Sequence, residues 1–244
     1  MAMNEPFDWR QSDRRLFAAV AILFPVIMLI GFGRSYYVKF AFGNPPLPSV
    51  LVHFHGLLMT LWIAFFILQV WLIRSMNHKV HMKTGFFGVA LAAAIVVVGF
   101  FTAVAGAKYP SPSFPPAIPP LAFLAVPLFD IALFAILFGA AIIYRKRPAE
   151  HKRLMILTVL SFLPPGLARF PFEPFVSGGP LVFFGVPAAL AIGLLIYDTW
   201  RMHKLNRVFL AGSLLLIASY PIRLALSGTD LWMSFASWLT AWAA

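Results

Sequence analysis

Runs of roughly twenty apolar residues, almost free of charge, recur along this chain at about 16–33, 50–73, 86–106, 121–144, 154–169, 181–198 and 208–225. At a rise of about 1.5 Å per residue, a helix of about 20 residues crosses the ~30 Å hydrocarbon core of a bilayer. Lipid offers no hydrogen bonds to the backbone, so runs of this length and apolarity fold as helices that satisfy their own amides. The chain is therefore predicted to be all-α, a single transmembrane domain over residues 1–244 built as a seven-helix bundle. The fifth run is short and contains Pro164-Pro165-Gly166, so it is expected to be the least regular. Breaker-rich loops, such as Asn44-Pro45-Pro46 and the stretch from Tyr109 to Pro120, separate the runs.

Composition supports this class. Charged residues make up 11% of the 244 and hydrophobic ones 61%. A soluble domain carries about 25% charged residues, so this chain lacks the polar surface to cover itself in water. It has no cysteine, which excludes disulfides, thiolate metal sites, cysteine nucleophiles and Cys-ligated iron–sulfur clusters. The first run reads as a retained anchor, because no small-x-small cleavage pattern follows it.

The formal charge of +11 is ambiguous until it is sorted by loop. With seven crossings, 14 of the 19 Lys and Arg fall on the side of the N-terminus and 5 on the other. The positive-inside rule then places the N-terminus in the cytoplasm and the C-terminus outside. Most of the charge is topology, with attraction to anionic lipid, and no nucleic-acid partner is expected. The tail from Thr229 to Ala244 is too short to span and carries Trp232, Trp238 and Trp242. It is predicted to be an amphipathic interfacial helix at about 229–244, capped by Asp230.

A repeat runs through the basic loops: His78-Lys79, His151-Lys152 and His203-Lys204, with the aromatics Trp71, Tyr144 and Tyr197 preceding them. It suggests three helical hairpins built alike, added to a lone first helix.

Asp130 is the sharpest candidate for chemistry. It lies about 14 Å inside the fourth run by helical rise. A carboxylate there costs at least ~2.5 kcal/mol unless it is paired, protonated or wet. Pro127, one turn earlier, removes a helical hydrogen bond nearby. Arg223, Arg169 and His55 are the groups expected to converge on Asp130 in the outer half. Asp130, His55 and Arg223 are then candidates for a polar or proton-conducting centre. His53 and His55 differ by about 200° around a helix and cannot both face one ion. His55 is expected to face inward, on a stripe with Met59, Trp62, Phe66 and Gln69.

On the inner side, His81 and His151 occupy helix starts where their rings can turn into the bundle. Two such imidazoles could ligate a haem b or hydrogen-bond a quinone headgroup. Gln69 and Arg169 join them as candidate cofactor-binding residues. No metal site is identified, because the histidine spacing specifies none.

Other classes find no support. The last run has no lysine for a retinal Schiff base. G-x-x-x-x-G-K-[ST], H-E-x-x-H and G-x-S-x-G are all absent. Only one acid, Asp130, reads as embedded, which excludes carboxylate-bridged metal clusters.

His55-Gly56, Trp62, Gln69, His81, Gly85, Arg169 and the run Arg147-Pro148-Ala149-Glu150-His151-Lys152-Arg153-Leu154-Met155 resemble motifs of uncharacterised bacterial multi-pass inner-membrane proteins. The resemblance covers about residues 50–170. It implies a bacterial inner-membrane location and brings no established activity. The leading expectation is a redox-associated membrane protein that binds haem b or quinone. The alternatives are a small proton-coupled transporter using Asp130, and a non-catalytic subunit or assembly factor of a larger membrane complex.

Overall fold

The computed structural model describes residues 9–43, 49–110 and 118–242, with side-chain surroundings from residue 15 onward. Asn44-Pro45-Pro46, most of the Tyr109–Pro120 loop and the last two residues of the tail lie outside the described residues, as do the side chains of Arg10 and Arg14. All described secondary structure is helical: α1 Trp9–Phe32, α2 Val50–Arg74, α3 His78–Lys108, α4 Pro120–Phe123, α5 Ala125–Ile143, α6 Pro148–Ser161, α7 Leu163–Leu167, α8 Glu173–Met202, α9 Arg207–Ser227 and α10 Asp230–Trp242. Local signals set several starts. Ser49 accepts from the Val52 amide to cap α2, and Asn206 accepts from the Phe209 amide, at 2.9 Å, to cap α9. Pro148 opens α6 with Glu150 in its first turn, matching the free amides and positive dipole end found there. Gly179 carries a positive φ of 50° and kinks α8, a conformation that glycine adopts without strain.

Among the described residues six helices are long and apolar enough to cross a membrane, the architecture of a multi-pass membrane protein. The surface agrees with that solvent. Ile22, Leu29, Phe86, Ile143 and Leu181 are exposed, while Asp130, Arg153, Thr158, Ser213 and Arg223 are buried. Such a surface is unfavourable in water and ordinary against lipid.

The fifth apolar run differs from the other six. It folds as α6 followed by the five-residue α7, with the helical register broken at Phe162 ahead of Pro164-Pro165. Every residue from Ile156 to Leu163 is buried. This segment packs against α5, α8 and α9, and α7 packs on α1 and α8, so protein covers it on all sides. Its proximity to α1 depends on glycine. A β-carbon on Gly31 would stand 2.2 Å from the Gly166 carbonyl oxygen, so the two backbones touch directly.

Around this centre, α2 pairs with α3, α5 with α6 and α8 with α9, which realises the three expected hairpins. They are not built alike at their turns. His78 begins α3 and His151 lies in the first turn of α6, whereas His203 is a left-handed cap closing α8, four residues before α9. The core is aromatic: Trp62 meets Phe134 and Phe138 edge-on at 5.2 and 5.4 Å, and Phe134 reaches Phe162 at 4.5 Å.

Helix α10 rests on α3, α4 and α9. Trp232, Ala236, Leu239 and Thr240 are buried, while Leu231, Trp238 and Trp242 are exposed. The Trp232 ring N–H donates to the Leu121 carbonyl at 2.9 Å. The cap is Thr229 rather than Asp230: its hydroxyl accepts from the Trp232 amide, and Asp230 occupies the first turn, where its charge meets the helix dipole.

Candidate functional site

Polar groups gather in two regions of the bundle, separated along α2. His55 lies near one end of that helix and Gln69 near the other, about 21 Å apart by helical rise.

The first region is closed by charge. Asp130 of α5 and Arg223 of α9 form a buried ion pair. All three guanidinium nitrogens donate. Their acceptors are Asp130, the Val126 carbonyl at 3.4 Å, the Ser219 carbonyl at 3.1 Å and the Ser219 hydroxyl at 3.0 Å. The rings of Phe129, Phe184 and Tyr220 lie 5.1–5.6 Å from its central carbon. A desolvated arginine is tolerable when its charge is paired and its nitrogens donate; here Asp130 pairs the charge and four of the five N–H groups have acceptors. The Tyr220 hydroxyl is buried beside the pair, without a partner among the described residues.

The other two groups expected here stay apart from the pair. His55 faces the bundle, with its Cε1 3.7 Å from where a Gly99 β-carbon would sit, and its Nδ1 is buried without a partner. His53 is exposed, as the 200° offset requires. Among the described residues no hydrogen bond joins His55 to Asp130 or Arg223. Arg169 donates to the Pro165 carbonyl at 2.7 Å and lies over the Phe32 ring at 4.6 Å. Its contacts are thus with α1 and α7, and among the described residues no contact joins it to the inner histidines with which it was grouped as a cofactor ligand.

The second region contains Gln69, His81 and His151. Gln69 donates to the Thr84 hydroxyl at 2.8 Å, and Thr84 in turn donates to the Val80 carbonyl. The His81 ring lies against the Gln69 backbone and within electrostatic reach of His151. The His151 Nδ1 is 2.8 Å from the Ala141 carbonyl. Only a protonated Nδ1 makes that bond, so the neutral ring has Nε2 as its acceptor. Among the described residues two polar atoms in this cluster, Gln69 Oε1 and His81 Nδ1, are buried without partners. The four residues come from α2, α3 and α6, so sequence separation conceals the cluster until the helices pack.

One charged pair is absent from the sequence reading. Arg153 of α6 and Asp198 of α8 form a bidentate bridge, Nε to one carboxylate oxygen at 2.9 Å and Nη2 to the other at 2.7 Å. Asp198 is thus a second acid paired within the bundle, half-buried near the end of α8. Its position at the end of an apolar run made it read as interfacial, and Arg153 read as one more topology-setting cation. The signal was available: Asp198 is the one acid on the strongly basic side of the sixth run.

Among the described residues no group of three or more His, Asp or Glu could hold a metal ion. No family model, no curated protein sequence and no solved structure matches this chain.

Proposed function

We propose that this protein is a redox-associated bacterial inner-membrane protein that binds a quinone headgroup at Gln69, His81 and His151. The observation that carries the reading is the pair of buried, unpartnered polar atoms, Gln69 Oε1 and His81 Nδ1, in one cluster. Leaving such atoms unpaired costs about 1–3 kcal/mol each, so a ligand with complementary polar atoms is favoured there. The two fit a quinone in both oxidation states. In its Nδ1–H tautomer His81 donates to a carbonyl of the oxidised ring; in the Nε2–H tautomer its Nδ1, like Gln69 Oε1, accepts from a hydroxyl of the reduced one. When bound, such a group supplies reversible two-electron, two-proton chemistry. His81 then holds or releases a proton at Nδ1, His151 keeps its tautomer through Ala141, and Thr84 fixes the amide of Gln69.

A second reading, haem b ligation, draws on one observation. A backbone carbonyl orienting Nδ1 and leaving Nε2 available is the outer-shell arrangement of metal-bound histidines.

The purified full-length chain tests both. An organic extract containing an isoprenoid quinone, lost in His81→Ala and Gln69→Ala, is the expected result. A Soret band that depends on His151 replaces the quinone by haem. No quinone and no Soret band overturns the redox reading.

We further propose that α6 and α7 together form a seventh crossing. Residues 148–167 number 20, which at the helical rise reach about 30 Å. The Ile156–Leu163 stretch is shielded by protein, so the break at Phe162 never meets hydrocarbon. Seven crossings put the two ends of the chain on opposite sides, and the positive-inside rule then favours the N-terminus inside and α10 at the outer face. Reporter fusions at the two termini on the same side of the membrane would remove the seventh crossing.

A further inference from the structure

A groove of about 330 Å³ runs along the seam between α5 and α9, with Leu154 of α6 in its lining. Tyr144 and Arg207 mark its basic end, and Ile136 and Leu215, eight residues deeper along each helix, mark the other. Eight residues rise about 12 Å, so the groove reaches from the polar end of the bundle toward the middle of the hydrocarbon. A volume of about 330 Å³ over that length leaves an average width of about 5 Å. That seats one hydrocarbon chain, whose carbons meet their neighbours at about 4 Å. A helix of the same length, about 10 Å across, would need roughly three times the volume. Small side chains keep the space open, Ala140 on α5 with Ala211 and Gly212 on α9, and the rim residues Ile136 and Leu215 are exposed on the lipid side.

The basic end of the groove carries two arginines. Arg207 lines it, and Arg147 lies over the ring of Tyr144 at 5.7 Å, a contact that occupies none of its N–H groups. The three lining helices have one acid at this end, Glu150, one turn before Leu154. Among the described residues no ion pair joins Glu150 to either arginine. Arg145 and Lys146, in the same turn as Tyr144, only add to the charge. The mouth thus holds an excess of at least one positive charge above an apolar slot one chain wide.

We infer that this groove binds one acyl chain of an anionic phospholipid whose phosphate lies at Arg207. Basic sites between membrane helices on the cytoplasmic side select anionic headgroups. Charge complementarity selects the occupant. A phosphodiester without a compensating amine neutralises the excess, whereas a zwitterionic headgroup brings its own cation and a quinone ring brings no charge. Gln69, His81 and His151 do not line the groove, so the site stands apart from the proposed quinone cluster.

The test uses the full chain in detergent, titrated with phosphatidylglycerol, with phosphatidylcholine and with glycerol phosphate. Binding is read by native mass spectrometry and by thermal unfolding. Wild type is expected to retain phosphatidylglycerol and to be stabilised by it, without matching responses to the other two ligands. Each basic group near an anionic surface is worth about 1 kcal/mol, so Arg147→Gln with Arg207→Gln should weaken phosphatidylglycerol binding about 30-fold and leave phosphatidylcholine binding unchanged. Ala211→Leu fills the slot at an exposed position and displaces at least two methylenes of the chain, which should weaken binding at least about 10-fold. Ala211→Ser keeps the space and should bind like wild type. The arginines are exposed, so the charge variant reads the site even where the filled groove fails to fold. Equal affinity of wild type for the two lipids overturns the proposal, as does undiminished phosphatidylglycerol binding in the double glutamine variant or in a folded Ala211→Leu. Saturation by glycerol phosphate at the same concentrations also overturns it, because the acyl chain would not be needed. Displacement of phosphatidylglycerol from wild type by a long-tailed quinone gives the groove to the quinone tail instead and overturns the lipid assignment.

Discussion

Arg223 donates to the carboxylate of Asp130 across 93 residues of sequence, with no measurable exposure of the guanidinium. That bond ties α9 to α5 in the middle of the bundle. It also satisfies the requirement that made Asp130 conspicuous, because an embedded acid needs a cation and Arg223 is the one that reaches it.

Removing one member of the pair should therefore be worse than removing both. Asp130→Ala leaves a buried guanidinium uncompensated and is expected to cost about 3–5 kcal/mol. Arg223→Leu exposes Asp130 to the same penalty. The combined Asp130→Leu and Arg223→Leu variant should recover most of the loss, since an apolar replacement of a buried pair is often near neutral. Unfolding in detergent across the double-mutant cycle checks the ordering.

Arg153 and Asp198 form a forked pair, which makes lysine a poor substitute. Lysine offers a point charge where the carboxylate meets two parallel donors. Asp198→Asn and Arg153→Lys should each cost about 1.5–3 kcal/mol, the range for hydrogen bonds to charged groups. Retention of wild-type thermal stability by Arg153→Lys would show that the fork is not needed.

The contact between α1 and α7 leaves no room for a side chain. Gly31→Ala forces a β-carbon against the Gly166 carbonyl and should cost at least about 1–3 kcal/mol, the usual penalty for overpacking. Gly139→Ala in α5 meets nothing within 4 Å and gains helical propensity, so it should be neutral or stabilising. Equal melting temperatures for the two variants would contradict the backbone contact.

Helix α10 begins at the Thr229 hydroxyl. Thr229→Ala should destabilise its first turn by about 0.5–2 kcal/mol. Asp230→Asn removes only a dipole interaction and should cost about 0.3–1 kcal/mol. Amide exchange at Trp232, whose N–H reaches Thr229 at 3.2 Å, reports the difference directly.

The class of the molecule was legible because it depends on local composition. Apolar runs long enough to cross lipid, broken by Pro and Gly and flanked by arginine and lysine, point to membrane helices without any knowledge of packing. The inward stripe from His55 to Gln69 was likewise legible, since helical periodicity alone places Trp62 and Phe66 on the buried face, where they are found.

What the sequence left open were the relationships between helices. Periodicity shows that Asp130, Arg223 and Arg169 face somewhere, but not that Arg223 reaches Asp130 while Arg169 turns back to Pro165 and Phe32. Nor does it distinguish a lipid-facing apolar run from one enclosed by protein, because Leu and Ile suit both environments; hence the enclosure of α6 and α7 by α1, α5, α8 and α9 was not legible. Asp198 illustrates the same limit. An acid at the end of an apolar run has the same sequence signature whether it meets water or Arg153, and only the approach of α6 to α8 decides between them.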